Sequence, residues 1–480
     1  MKSKEMIFQK AVEIMIFNNH LRPVAARQLD NYIFNKFSKD VGFTTYEERI
    51  KRYHFYSSLL NIAEKNLAKG YYSKTGIKKM IHSMTGTKFI MKAEDKIGKI
   101  QNEYKLKYGE YPPGFIVLAP SQRCNLQCTG CYAGSTNHTV STLPYSVVDR
   151  IIGDVHDVYG RKFVVITGGE PFMYKSDGKT LLDIFAKYND MFFLVYTNGT
   201  LITPSIAQRL SELGNVTPAI SVEGYQQETD ERRGKGVYNK IMEAMENLRT
   251  VGVPFGISVT ATSKNYELLL TEKFYDYYFE QLGVSYMWQF QFMPIGRGKG
   301  TFDLVISPQK RVELYKVWGK VLTEKKYPVA DFWNSGVISN GCIAYGKQNG
   351  YIYIDWNGNI TPCVFVPYYV DNIYDLYKEG KNLAHATSSA FMKNGRKWQL
   401  DHEKSRKNHL MPCSIRDHYK NFRENILTDN AKPEDQQAAE ALKDAIYLQS
   451  MINYDEELTK LTDNINEDEY RDLLLELEAL

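Results

Sequence analysis

The sequence predicts an α/β fold whose centre is a parallel sheet covered by helices on one side. Three observations predict it. First, six short runs are almost wholly apolar: FIVLAP (115–120), FVVIT (163–167), FFLVYT (192–197), PAISVE (218–223), FGISVTA (255–261) and YMWQFQFM (286–293). That is the signature of strands buried on both faces. Second, amphipathic stretches such as YSVVDRIIGDVHDVY, SIAQRLSEL and YNKIMEAMENLRTVG separate them, giving a strand–helix alternation. Third, polar and glycine-bearing motifs follow the strands, where ligands to such a sheet gather.

The flanks read differently. Residues 1–110 are helical with polar connections, and GEYPPG, ending at Gly114, forms a hinge or turn before the 111–300 core. In residues 301–424 the alternation weakens; YIYIDWNGNITPCVFVPYYV reads as a hairpin with Asn357-Gly358 at its turn. Residues 425–480 return to acidic helices. The chain holds no run of 18 apolar residues and no secretory signal at its start, so cytoplasmic residence is the expectation. Net charge is only +4, but residues 1–110 carry 21 Lys/Arg against 11 Asp/Glu, and residues 421–480 carry 5 against 16. Such asymmetry predicts either two ends that pack on each other or a basic arm that meets a polyanion or an anionic membrane surface.

Cys124, Cys128 and Cys131 stand in SQRCNLQCTGCYAG, directly after the first strand. Three thiolates at C-x3-C-x2-C can wrap one iron–sulfur cubane and hold three of its four irons. The missing ligand leaves one iron open to a small molecule carrying an amine and a carboxylate. The competing reading is a zinc knuckle, with His138 as fourth ligand. Further motifs close the next strands. ITGGEP presents Gly168 and Gly169, whose bare backbone permits close approach, and Glu170, a carboxylate for an ammonium. TNGT presents Asn198, SVEG presents Ser221 and Glu223, and DERRGKG presents Arg233, a planar fork suited to a carboxylate.

In this order and placement the motifs resemble the radical S-adenosylmethionine (SAM) superfamily, over about residues 115–300. The resemblance implies a partial (β/α)6 barrel with a 4Fe–4S cluster on Cys124, Cys128 and Cys131. It implies SAM held by Gly168, Gly169, Glu170, Asn198, Ser221, Glu223 and Arg233, with Pro294 and Arg297 of MPIGRG near the adenine. The activity implied is reductive cleavage of SAM to a 5′-deoxyadenosyl radical that takes hydrogen from an unactivated carbon, fed by an electron donor such as flavodoxin or ferredoxin. Two departures stand out: Gly130 replaces the aromatic usual before the third cysteine, and Glu223 replaces an aspartate.

Cys342, Cys363 and Cys413 remain. The isolated cysteine followed by Gly358-x4-Cys363 resembles the twitch or SPASM extensions of these enzymes, small α+β units that carry auxiliary iron–sulfur clusters. Three cysteines suffice for one such cluster, with Asp417, His418 or substrate completing it. The implied substrate is a ribosomal peptide or a lipid or other hydrophobic molecule. Residues 1–108 show no β-hairpin of the kind found in small winged peptide-binding domains. The alternative class is a non-enzymatic iron–sulfur or zinc protein that binds nucleic acid through its basic N-terminus; it leaves the strand-end motifs unexplained.

Overall fold

A computed structural model describes residues 11–12, 14–38, 46–84, 95–138, 141–334, 336–339, 341–404 and 408–478. Helices α1 (Arg22–Ser38), α2 (Tyr46–Ala68), α3 (Lys74–Met84) and α4 (Asp95–Tyr108) precede the sheet. Then come β1 (Phe115–Leu118), α5 (Tyr145–Asp157), β2 (Phe163–Ile166), α6 (Leu181–Lys187), β3 (Phe192–Thr197), α7 (Pro204–Leu213) and β4 (Val216–Val222). Helices α8 (Gln226–Arg233) and α9 (Val237–Thr250) precede β5 (Gly256–Ala261), and β6 (Met287–Gln291) leads through α10 (Pro308–Thr323) to β7 (Val329–Asp331). The chain ends in β8 (Tyr351–Ile354), β9 (Asn359–Thr361), β10 (Tyr368–Tyr369), β11 (Asp371–Asn372), α11 (Ala390–Lys404), β12 (Lys432–Pro433) and α12 (Ala445–Glu478).

Strands β1 to β7 pair in sequence order and in parallel, and β8 pairs in parallel with the outer edge of β1. The C-terminal extension thus continues the sheet at both ends. The β8–β9 hairpin turns at Asn357-Gly358, with Gly358 at a φ of +80°.

Pairing register sorts the side chains into two faces. One carries Ile116, Leu118, Val164, Ile166, Phe193, Val195, Ile220, Val222, Ile257 and Val259, all buried at 1% exposure or less. They pack under Val148, Ile151 and Val155 of α5 and Ile241, Ala244 and Leu248 of α9. Burying each branched chain stabilises by about 1.5–3 kcal/mol, so this face is the core.

The other face lines the concavity of the partial barrel. Tyr353, Val117, Val165 and Leu194 share one level of it, and Ser221, Ser258, Trp288 and Ala330 another. Ser221, Trp288, Phe290 and Tyr196 on this face are only half-buried. Small side chains line β4 and β5 there (Ala219, Ser221, Ser258), while the Tyr286 ring covers Gly256.

The GEYPPG segment is pinned. The Arg161 guanidinium donates to Pro113 O (2.8 Å) and Pro112 O (3.0 Å), and Gly114 N–H donates to Gly350 O (2.7 Å). The two ends of the chain do meet, since α2 packs on α10 and touches α12. Residues 1–10 lie outside the described residues. No described helix is long and apolar enough to cross a membrane.

Asp455 of α12 accepts Tyr419 N–H at 2.7 Å, and burial pushes its carboxyl up to about 8. A raised carboxyl means the folded chain holds the proton more tightly. Its contribution to stability is therefore complete below the unfolded value near 4 and is lost as pH rises to about 8. Asp455→Asn is expected to raise the thermal midpoint more at pH 8.5 than at pH 5, as melting curves at the two pH values would show.

Candidate active site

The cysteine triplet lies between β1 and α5, and four other strand ends hold its loop. Gly169 N–H donates to Ser121 O (2.9 Å) and Glu170 N–H to Arg123 O (2.7 Å), so the loop after β2 lies backbone to backbone on the cysteine loop. A Cβ on Gly169 would stand 2.1 Å from Arg123 O, and Gly168 sits at a φ of +123°. The sequence suggests glycines that open backbone to a ligand. The structure places them against the cysteine loop itself. Gly169→Ala is expected to push that loop away and to lower iron retention several-fold in the reconstituted protein, measured by iron and sulfide analysis.

Beyond β3, Asn198 Nδ2 donates to Asn125 Oδ1 (2.8 Å) and lies 3.8 Å from Cys124 Sγ, while its Oδ1 accepts Thr200 N–H (2.9 Å). Beyond β4, Thr129 N–H donates to Arg232 O (2.9 Å), and Arg232 Nε returns a bond to Thr129 O (3.2 Å). Beyond β6, Arg297 donates from its side chain to Cys128 O (3.3 Å) and Ser135 O (3.1 Å), and from its backbone to Cys131 O (3.1 Å). Arg297, read from the sequence as an adenine neighbour, is a clamp on the cysteine loop; Pro294 is buried three residues before it. Phe292 occupies the space beside Gly130, where a Cβ would meet its ring at 2.4 Å. An aromatic is therefore supplied from β6 at the place where the loop lacks one.

All six cysteines are free thiols. Cys124 Sγ accepts Leu126 N–H at 3.4 Å. Burial pushes the Cys124 thiol up to about 12, with Glu170 adding to the rise, and burial also raises Cys128, against the opposing pull of Arg233. Thiolates in such a setting need the positive charge of bound metal. Among the described residues no three His, Cys, Asp or Glu side chains converge tightly enough for a single metal ion. Three thiols on one short loop are the donor set of a cubane held by three ligands, whereas a structural zinc site needs a fourth.

Glu170 is 1% exposed. Its Oε1 accepts Phe172 N–H (3.1 Å) and the Thr197 hydroxyl (2.7 Å), and Oε2 accepts Asn198 N–H (2.8 Å). A carboxylate has about four acceptor positions, so one remains for a ligand ammonium. Burial raises its carboxyl, and the three donors oppose that rise.

Glu223 and Arg233, expected to meet SAM separately, meet each other. Arg233 donates to Glu223 Oε1 at 2.5 Å, and Arg232 lies 2.7 Å from Oε2 but out of line for a hydrogen bond. The buried Arg233 Nε has no partner and is a spare donor for a carboxylate. Ser221 shares a 3.2 Å contact with Ser258 on the concave face. Beside Glu223 and Arg232 a cavity of about 230 Å³ opens, walled by Thr129, Thr262, Asn265 and Leu304. The donor set thus fits both a cluster and a ligand with an ammonium and a carboxylate.

The second cysteine set gathers near β8. Tyr351 Oη lies 2.9 Å from Cys363 Sγ, and Phe365 N–H donates to that sulfur at 3.5 Å. Burial pushes Cys363 up to about 12, and raises Cys413, on which the charges of Asp417, Cys342 and Cys363 also act. Asp417, considered from the sequence as a ligand, is instead held by Arg311 in a buried pair (2.5 and 3.2 Å) and accepts Cys413 N–H (3.0 Å). His418 Nε2 bonds Met411 O at 2.9 Å. Rings bridge the two sets: Tyr132, next to Cys131, lies 6.0 Å from Phe365, two residues past Cys363, and Phe365 also meets Phe290, Phe332 and Trp333.

A partial barrel with three free thiols on the loop after its first strand, and an anchored carboxylate after its second, defines an enzyme that binds SAM at an iron–sulfur cluster. Residues 118–267 match the radical SAM superfamily, and over that stretch the chain is a radical SAM enzyme. The AdoMet-dependent heme synthase of Methanosarcina barkeri is 25% identical over 291 residues, 54% of this chain and 79% of that protein. Mycofactocin maturase MftC of Mycolicibacterium smegmatis is 28% identical over 276 residues, 54% of this chain and 65% of that protein. The crystal structure of Streptococcus suis SuiB bound to precursor peptide SuiA matches with a TM-score of 0.50 at 17% identity, covering 72% of this chain and 83% of that one; that likeness is one of fold.

Proposed function

We propose that this chain takes a hydrogen atom from an unactivated carbon of a peptide held on its concave face, and that Cys342, Cys363 and Cys413 hold an auxiliary iron–sulfur cluster. The observation that supports the reading is the ring contact between Tyr132, next to Cys131, and Phe365, two residues past Cys363, at 6.0 Å, with all six cysteines free. Cys124, Cys128 and Cys131 would hold the cluster, which would supply one electron for the reductive cleavage of SAM. The chain's own groups do the rest. The remaining acceptor position of Glu170 and the spare Arg233 Nε orient the amino and carboxylate ends of SAM. Asn198 and Arg297 hold the cysteine loop still. The rings of Tyr196, Phe290, Phe332 and Phe365 exclude water from the space where a reactive carbon must sit within contact distance.

A peptide is favoured over a lipid by the maturase relative and by the fold shared with a peptide-bound enzyme. The test is anaerobic reconstitution of the full chain with SAM and dithionite. Release of 5′-deoxyadenosine, stimulated by peptide fractions and accompanied by roughly eight irons per chain, is expected. Stimulation by lipid fractions alone would sink the peptide reading. About four irons, unchanged by Cys363→Ala, would sink the auxiliary cluster.

A further inference from the structure

We infer that the Tyr351 hydroxyl, 2.9 Å from Cys363 Sγ, donates a hydrogen bond to that sulfur when it is a cluster ligand and raises the reduction potential of the auxiliary cluster. The inference rests on the auxiliary-cluster reading above. It makes Tyr351 a positioning and tuning residue rather than a ligand.

The three cysteine segments meet at Tyr345, just past Cys342. Its N–H donates to Pro362 O (3.1 Å), beside Cys363, and its hydroxyl shares a 2.7 Å hydrogen bond with the Ser414 hydroxyl, beside Cys413. From α11, Gln399 Nε2 donates to Cys342 O and Ala344 O, both at 3.0 Å, which fixes the first segment. Tyr345 is fully buried, and its φ of +62° puts a bulky residue in the left-handed region. Such a conformation persists only where the surroundings over-determine it. Here Arg396 donates to its carbonyl oxygen (2.9 Å), and its ring lies against Gly395, where no Cβ would fit. The strained residue is the one that joins the segments of Cys342, Cys363 and Cys413.

Tyr351 enters the same place from β8. It is 2% exposed, its ring stacks on Phe115 of β1 with centroids 5.2 Å apart and planes 15° from parallel, and its N–H donates to Ile343 O at 2.8 Å. The ring is therefore held on both sides with its hydroxyl on Cys363 Sγ, which also accepts Phe365 N–H at 3.5 Å. Between a free thiol and a phenol either group can donate. A metal-bound cysteine has lost its proton, whereas a phenol keeps its own at neutral pH, so with metal bound the bond runs from O–H to sulfur. Uptake of one electron by the cluster adds negative charge to its sulfurs, and a donor aimed at one of them favours the reduced form. The phenol keeps its proton throughout.

The test is an anaerobic redox titration of the full-length, reconstituted protein with dithionite, followed by electron paramagnetic resonance. Cys124→Ala serves as the parent, so that the signal comes from the second cysteine set. Tyr351→Phe in that parent keeps the ring and its stack and removes the donor alone. Unchanged iron is expected, with the reduction equilibrium moved about tenfold toward the oxidised form, a midpoint lower by about 59 mV for one electron. An unmoved or raised midpoint with iron retained overturns the inference and leaves the cluster reading standing. Loss of iron in Tyr351→Phe overturns it as well, since the hydroxyl would then hold the metal rather than tune it. A parent protein with no iron at the second set fails the auxiliary-cluster reading and this inference with it, an outcome told apart by the iron count alone.

Discussion

Replacing Cys124, Cys128 or Cys131 singly by alanine is expected to lower 5′-deoxyadenosine formation by at least about 10³-fold while leaving the chain folded. The argument for the first half is ligand count. A cubane already short of one protein ligand loses its second with any of these substitutions, and with it the geometry that leaves a single iron open. The argument for the second half is that the loop's shape does not depend on its sulfurs. Backbone bonds from Gly169, Glu170, Thr129 and Arg297 hold it, so circular dichroism and melting should change little. Cys363→Ala in parallel should keep cleavage of SAM but lose iron. A Cys131→Ala protein that still releases 5′-deoxyadenosine at a tenth of the normal rate would remove the ground for placing the radical chemistry on this loop.

The strands and the loop motifs were far more legible in the sequence than the contacts that join them. The six strands came out within about two residues because buried parallel strands are apolar runs, a local signal. The observed β2 and β3 begin at Phe163 and Phe192, as expected from their sequences. The triplet was legible for the same reason: its ligands are eight residues long in sum, Cys124 to Cys131. What could not be read was which long-range partner each motif has. Gly169 looks like a glycine for any close neighbour, and only the folded chain shows that the neighbour is Arg123 O. Glu223 and Arg233 have the right chemistry for SAM, but each is also the other's best counter-ion, ten residues away. The role of Phe292 in compensating for Gly130 carries no sequence mark, because the two are separated by 162 positions and meet only when β6 closes beside β1's loop. The extension is similar: nothing local says that β8 pairs with β1 while β7 pairs with β6.

Asp417→Ala is expected to weaken folding of the extension by about 3–5 kcal/mol and to abolish retention of iron by the second cysteine set. Arg311 and Asp417 are 1% and 0% exposed at their side chains, so deleting the carboxylate leaves a guanidinium in a dry interior with only Leu410 O (2.7 Å) and Asn334 Oδ1 (3.3 Å) as acceptors. Removing one partner of a buried pair costs more than the pair itself contributes, because the survivor cannot recover its water. The same carboxylate accepts Cys413 N–H, and Asp417 N–H donates to Cys413 O at 3.0 Å, so the turn that presents Cys413 loses its anchor in the same step. Asp417→Asn keeps an acceptor and should fall between the two. Replacing both partners, Arg311→Met with Asp417→Leu, should recover part of the folding loss, since the guanidinium is no longer stranded although buried Asp331 loses the pull of Arg311, but should not recover iron, because the Cys413 turn is still unanchored. Denaturation followed by tryptophan fluorescence, with iron analysis on the same samples, separates the two effects. Recovery of iron by the apolar pair would show that the turn holds its cysteine without Asp417.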